Sequence, residues 1–200
     1  VSLNFGDLYF SNDNAKKIGL IREEIEKLDI TFRERSILLT SLLYAMDKVA
    51  NTVGHYDAYR KKMDSFTPIH LKVPQINHND NNHRIYNMDA NELVKQIKPD
   101  LVYIDTPYNS RQYSDAYHLL ENIIEWKFPE VHGVAKKMDR SHIKSLYSTQ
   151  KAPEAFANLI SNINAKYILV SYNNMAQKGN GRSNSKISEQ EIIDILKTKG

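Results

Sequence analysis

The sequence has 200 residues, of which 41% are hydrophobic and 26% charged, with a net charge of +3. That is enough apolar material for one globular domain, or most of one, with a sizeable core. The lack of cysteine excludes disulfides and thiolate metal sites, and no apolar run approaches the roughly 20 residues of a membrane span.

The first residues, Val1-Ser2-Leu3-Asn4, show no basic-then-apolar targeting pattern. The chain opens without methionine and stops on Lys199-Gly200 just after a predicted helix, which reads as a fragment. A sequence pI near 8.8 is permissive for nucleic acid.

In chain order, Ile18, Ile21, Ile25 and Leu28 recur at helical spacing and predict a helix over residues 14–28. Thr31 and Glu34 form a T-x-x-E capping box that starts a second helix. It carries Leu38, Leu39, Leu42, Leu43, Met46, Val49 and Val53, with Gly54 as its stop. Ile69, Leu71 and Val73 alternate with His70 and Lys72, the pattern of a short half-exposed strand. A polar loop follows over residues 77–82.

From residue 84 the pattern becomes α/β. Residues 84–87 read as a strand and 90–97 as a helix. Leu101-Val102-Tyr103-Ile104 reads as a buried parallel strand. Residues 114–127 read as a helix with Leu119, Leu120, Ile123 and Ile124 inward, and 128–152 as a long basic loop. Pro153 suits the first turn of another helix. Residues 167–170 read as a second buried strand, 177–186 as a Gly/Asn/Ser/Lys loop, and Ser188-x-x-Glu191 as the cap of a last helix.

Three predicted strands thus end on polar residues: Ile85-Tyr86 on Asn87 and Asp89, Ile104 on Asp105, and Val170 on Ser171-Tyr172-Asn173-Asn174. Ligands of open α/β sheets bind outside the carboxyl ends of strands, so all three tips are expected on one crevice. Asp105-Thr106-Pro107-Tyr108 is the informative tip. Pro107 fixes its own φ and keeps Thr106 out of helix. The Thr106 carbonyl is then available to a ligand. An exocyclic amine attacking a methyl group needs acceptors for its hydrogens, and Asp105 with the Thr106 carbonyl offers two. Tyr108 offers a ring on which the base carrying that amine can stack.

This tetrapeptide resembles the D/N-P-P-Y/F motif of amino-group methyltransferases that use S-adenosylmethionine. The longer string from Asp105 through Asn109, Arg111, Tyr113 and His118 to Asn122 resembles adenine-specific DNA methyltransferases of restriction–modification systems. So do residues 10–25, 51–59, Asn87-Met88-Asp89-Ala90 and 171–174. The resemblance implies a doubly wound, Rossmann-like α/β methyltransferase fold, partial here and with a helical insertion. Residues 1–82 would form the helical insertion region, a DNA-recognition part, and 83–200 the catalytic region. It implies methyl transfer from S-adenosylmethionine to the N6 amine of adenine in double-stranded DNA, with base flipping. It also implies a cytoplasmic bacterial or archaeal enzyme and a cognate restriction endonuclease as partner. Asp105, Thr106, Pro107 and Tyr108 would be catalytic, Asp89 and Asp105 would contact cofactor, and Tyr108, Asn109, Arg111, Tyr113 and Tyr172 would contact DNA. No metal is expected: His78, Asp80 and His83 sit in an Asn-rich stretch and read as solvated residues.

Two departures from the family pattern stand out. Thr106 replaces the first motif proline, which adds an N–H to satisfy. No glycine-rich F-x-G-x-G loop follows a first strand, so a nucleic-acid-binding fragment without chemistry is the second reading. RNA adenine or a protein glutamine amide is the third as acceptor. Several residues also have plain structural readings. Asp89-x-x-Glu92 is an N-cap pattern, Tyr113 suits helix packing, and Arg111 suits either phosphate or solvent.

Overall fold

The structure, a computed structural model, describes residues 1–76, 81–173 and 185–200. His78, Asp80, Asn174 and most of the 177–186 loop lie outside the described residues. The elements are α1 (Ser2–Phe5), α2 (Asn12–Lys27), α3 (Phe32–Val49), α4 (Ala90–Leu93) and β1 (Leu101–Ile104). There follow α5 (Tyr113–Ala116), α6 (His118–Glu125), β2 (Val131–His132), β3 (Lys137–Met138), α7 (Ala152–Asn162), β4 (Tyr167–Val170) and α8 (Glu189–Lys197). Among the described residues no helix is long and apolar enough to cross a membrane.

The chain divides into two compact units, one of Val1–Asn79 with Tyr113–His142, the other of Asp80–Gln112 with Ile143–Gly200. The first is mainly helical. Ser11 caps α2 through the Asn14 N–H, and Thr31 with Glu34 forms the expected capping box of α3. Ile18, Ile25, Leu42, Met46, Leu119 and Ile123 meet in its core. Charge is buried there as well. The Arg22 side chain is fully enclosed, donates from Nε to the Ile123 carbonyl at 2.6 Å and from Nη2 to the Ile124 carbonyl at 3.0 Å, and pairs with Glu26. It thereby supplies donors at the carbonyl end of α6, whose last turn closes on Trp126 in the left-handed conformation.

A second buried polar group in this unit is His118. Its Nε2 lies 2.8 Å from the Tyr56 carbonyl, which makes Nε2 the protonated nitrogen, and Nδ1 is buried without a partner among the described residues. Burial is the main cause that lowers its pKa to about 4, and the positive charges of Lys137 and Arg140 add to it. The unfolded chain, near the ordinary value of 6.5, therefore takes up a proton that the folded chain refuses. The sign follows: this contribution to stability is complete above pH 6.5 and is lost as pH falls toward about 4. Thermal melting of the protein is expected to show that decline, and His118→Gln to flatten it. An unchanged slope in the variant would assign the decline to other groups.

Several elements differ from the sequence-based expectations, each for a local reason. The second helix ends at Val49, before Val53 and Gly54, because Asn51 is held by other segments. Its N–H donates to the Tyr9 carbonyl at 2.7 Å and its Nδ2 to the carbonyls of Leu8 and Arg60, each at 2.9 Å. The helix expected over 114–127 breaks at Tyr117, because the Ala116 carbonyl accepts the Tyr56 N–H at 2.7 Å instead of continuing the helical ladder. Residues 69–73 form no strand. The Ile69 N–H goes to Asn14 Oδ1 at 2.9 Å and the Lys72 carbonyl to Ser41 Oγ at 2.7 Å, so helices α2 and α3 satisfy this segment with side chains. Residues 84–87 form no strand either, and Ile85 is 97% exposed. The 128–152 stretch is not all loop, since β2 and β3 pair in an antiparallel hairpin with Gly133 in its turn at φ 70°.

The second unit is built on a parallel pair. β1 and β4 align Leu101 with Tyr167, Val102 with Ile168, Tyr103 with Leu169 and Ile104 with Val170. Val102, Ile104, Ile168 and Val170 face a core with Phe156, Leu159 and Ile160 of α7 and with Ile163 just after it. The other face of the pair carries Leu101, Tyr103, Tyr167 and Leu169, each more than half exposed. The expectation of two fully buried strands therefore holds for one face. Pro153 sits in the first turn of α7, and Ser188 with Glu191 forms the capping box of α8.

Candidate active site

Because β1 and β4 run parallel, their carboxyl ends lie side by side. The Ser171 N–H donates to the Ile104 carbonyl at 2.9 Å, which carries the pairing one residue past the strands. The tips then diverge into Asp105 on one side and Tyr172 on the other. Pro107 cannot donate to a ladder, so β1 has no continuation through the motif. Asp105 is exposed, while Thr106, Pro107 and Tyr108 are half-buried. The Tyr108 ring meets the Tyr172 ring edge to face, with centroids 6.3 Å apart and planes at 76°.

These residues open on a cavity of about 760 Å³, lined by Asp105, Tyr108, Ser171 and Tyr172 together with Glu189 and Ile192 of α8. An exposed carboxylate beside an aromatic ring in a space of this size suits a flat, amine-bearing ligand. Thr106 Oγ1 is buried beside it and has no hydrogen-bond partner among the described residues. Tyr172 is partly buried, which pushes its hydroxyl pKa up, so it stays a protonated donor at neutral pH.

Asp89 does not share this cavity. Its carboxylate accepts the Asn91 N–H at 2.8 Å and caps α4, as its N-cap pattern predicts. It lines a second cavity of about 430 Å³ with Asn91, Glu92, Tyr147 and Asn158. Tyr147 donates from its hydroxyl to Asn91 Oδ1 at 2.8 Å, and Asn91 Nδ2 bonds the Ala155 carbonyl and Asn158 Oδ1. Two of the three expected tips thus share a crevice, and the third lies elsewhere in the unit because no strand forms before it.

Asn109 and Arg111 follow the motif. Asn109 Oδ1 accepts the Arg111 N–H at 2.9 Å in a local turn, and the Arg111 side chain is exposed. Gln112 ties the loop to Ser145 with a reciprocal pair of hydrogen bonds, Nε2 to carbonyl at 3.1 Å and N–H to Oε1 at 2.8 Å. Tyr113 begins the segment that belongs to the other unit, where its ring meets Tyr117 edge to face.

The model of the family described as D12 class N6 adenine-specific DNA methyltransferase matches residues 4–180. The chain belongs to this family. It is 42% identical over 196 residues to modification methylase StsI of Streptococcus sanguinis, covering 94% of this chain and 29% of that protein. It is 36% identical over 200 residues to type II methyltransferase M.FokI of Planomicrobium okeanokoites, covering 96% and 30%. Against type II methyltransferase M.NlaIII of Neisseria lactamica it is 34% identical over 197 residues, covering 96% and 59%. The chain therefore spans less than a third of the first two relatives. No solved structure matches it.

Every residue singled out by the adenine-methyltransferase resemblance lies inside the family match. The α8 residues that complete the Asp105 cavity lie beyond it, and the sequence reading missed them. Their helix was legible from Ser188-x-x-Glu191, but no local pattern says that it returns to residue 105.

Proposed function

We propose that this chain is the motif-bearing part of an enzyme that moves the methyl group of S-adenosylmethionine to the N6 amine of adenine in double-stranded DNA. The observation that carries the reading is the Asp105 carboxylate and Tyr108 ring on one cavity at the carboxyl ends of two parallel strands. Membership of the adenine-methyltransferase family supports it. A doubly wound, Rossmann-like arrangement is the finer fold this reading implies, and the parallel pair packed on α7 agrees with it.

The donor, when bound, supplies an electrophilic methyl group. The residues of this chain prepare the nucleophile. Adenine N6 is out of reach inside a duplex, so the base leaves the stack before reaction. Tyr108 then stacks on the extruded ring. Asp105 and the Thr106 carbonyl accept the two amine hydrogens, which turns the nitrogen lone pair toward the methyl group. The donor would supply the methyl group and keep the electron pair of its carbon–sulfur bond, while Asp105 and the Thr106 carbonyl would hold the amine until it releases one proton.

The fit to the donor is partial. The Asp89 cavity would offer a carboxylate to an adenosine, and it is lined as well by Asn91 and Tyr147, which bond each other. A glycine-rich turn after a strand has no counterpart in this sequence, so no residue here is assigned to the methionine end. Asn109, Arg111 and Tyr113 are the proposed DNA contacts, Tyr172 stands on the same cavity as Tyr108, and the region 1–82 is the proposed recognition part. A cognate endonuclease is the partner a modification methylase implies.

The test uses the full-length protein with tritiated S-adenosylmethionine and equal amounts of duplex DNA, RNA and protein acceptor. Label is expected in duplex DNA as N6-methyladenine. Label confined to RNA or to a protein amide would change the substrate. DNA binding with label nowhere would replace the enzyme with a nucleic-acid-binding module.

A further inference from the structure

Tyr172 lines the same cavity as Tyr108, and a ring there reads at first as a second wall for the flipped base. Its bonding argues otherwise. The Tyr172 hydroxyl donates to the Tyr108 carbonyl at 3.3 Å and accepts the Ile187 N–H at 3.1 Å. The neighbouring Lys186 N–H donates to the same Tyr108 carbonyl at 2.9 Å. One residue earlier, Ser185 Oγ donates to the Asn173 carbonyl at 2.5 Å. Residues 185–187 therefore run as a strap across both strand tips, and the Tyr172 hydroxyl is the knot between strap and motif. Both oxygen functions of that hydroxyl are in use. The two rings meet at 76° with centroids 6.3 Å apart, so Tyr172 contacts Tyr108 without stacking parallel to it.

We propose that Tyr172 is a positioning residue: it holds the backbone of the Asp105–Tyr108 turn and the tilt of the Tyr108 ring, and it does not itself stack on the target base. The proposal rests on the methyl-transfer reading for its consequence in catalysis, but the clamp itself is a property of the fold. The motif turn has little else to hold it. Pro107 contributes no N–H, and the Thr106 hydroxyl bonds to nothing among the described residues. Removing one anchor should therefore let the acceptor carbonyl and the ring drift from the geometry that transfer requires.

The two roles predict opposite results for Tyr172→Phe. A stacking residue keeps its ring in this variant and loses little, whereas a positioning residue loses its hydroxyl and with it the clamp. In the full-length protein, Tyr172→Phe is expected to lower kcat about tenfold, the size of one lost hydrogen bond, with KM for DNA changed less than about twofold. Tyr172→Ala should fall only a little further. Hydrogen exchange supplies a readout independent of turnover: the amides of Lys186 and Ile187 should exchange at least about tenfold faster in Tyr172→Phe, while those of α7 keep their wild-type rates. Wild-type kcat and exchange in Tyr172→Phe would overturn the proposal, as would a KM effect that appears only in Tyr172→Ala. If the wild-type protein transfers no methyl group, the proposed function fails. The exchange rates would still decide whether the clamp exists.

Discussion

Asp105→Ala in the full-length protein is expected to lower kcat for adenine methylation by about a thousandfold, the scale on which loss of one preorganised polar group acts at a reacting centre. The affinity for duplex DNA should change by less than about tenfold. The reasoning separates binding from chemistry. Asp105 is exposed at the end of β1, and its carboxylate forms no part of the core, so its removal leaves the packing of Ile104 and Val170 intact. What disappears is the acceptor proposed for an amine hydrogen. Asp105→Asn makes the test sharper. An amide keeps one carbonyl acceptor in the same place, so this variant should retain clearly more activity than the alanine variant. Equal loss in both would mean that negative charge matters more than hydrogen acceptance. Full activity in Asp105→Ala would remove the residue from the mechanism.

The second large effect is expected on stability. Arg22→Met should destabilise the helical unit by about 2–4 kcal/mol, read from denaturant unfolding. Methionine fills a similar apolar volume, so the cost comes from polar groups. The carbonyls of Ile123 and Ile124 lose their donors where water cannot reach them easily. The guanidinium also lies 5.1 Å from the Trp126 ring centroid, an attraction that methionine replaces only in part. Glu26 is less affected, because Arg35 also pairs with it. Arg22→Lys should recover less than half of the loss, since one ammonium cannot reproduce a planar fork that reaches two carbonyls. A change under about 0.5 kcal/mol in Arg22→Met would show that the α6 carbonyls find other donors.

The sequence was readable where the determinant is local. Both capping boxes, at Thr31–Glu34 and Ser188–Glu191, are short-range exchanges between a hydroxyl, a carboxylate and two backbone N–H groups, and both form. The apolar runs at 101–104 and 167–170 became strands because each found the other. The same reasoning failed where a partner from far away intervened. Asn51 ended a helix early by bonding three distant carbonyls. Tyr56 broke another by capturing the Ala116 carbonyl. Asn14 and Ser41 took the backbone groups that would have made residues 69–73 a strand. Residues 84–87 had a strand-like composition but pair with no strand among the described residues.

The candidate site divides in the same way. Asp105 to Tyr108 could be found because Pro107, the carboxylate and the ring are contiguous. Tyr172 could be found because it ends a second strand. The strap at 185–187 acts through backbone N–H groups, which carry no side-chain signature. No local pattern marks Arg22 as buried; its burial comes from the return of α6, whose last carbonyls it bonds.

The parity of β1 has a consequence for how this chain can change length. Ile104 faces the core and Tyr103 the opposite side, so the pleat decides which way Asp105 leaves the sheet. Adding or deleting one residue between Leu101 and Ile104 would swap the two faces and send the motif out on the wrong side. Changes in twos, or changes before Asp100, would leave its heading untouched. A four-residue strand thus acts as a ruler with a step of two, and insertions that preserve activity should collect outside it.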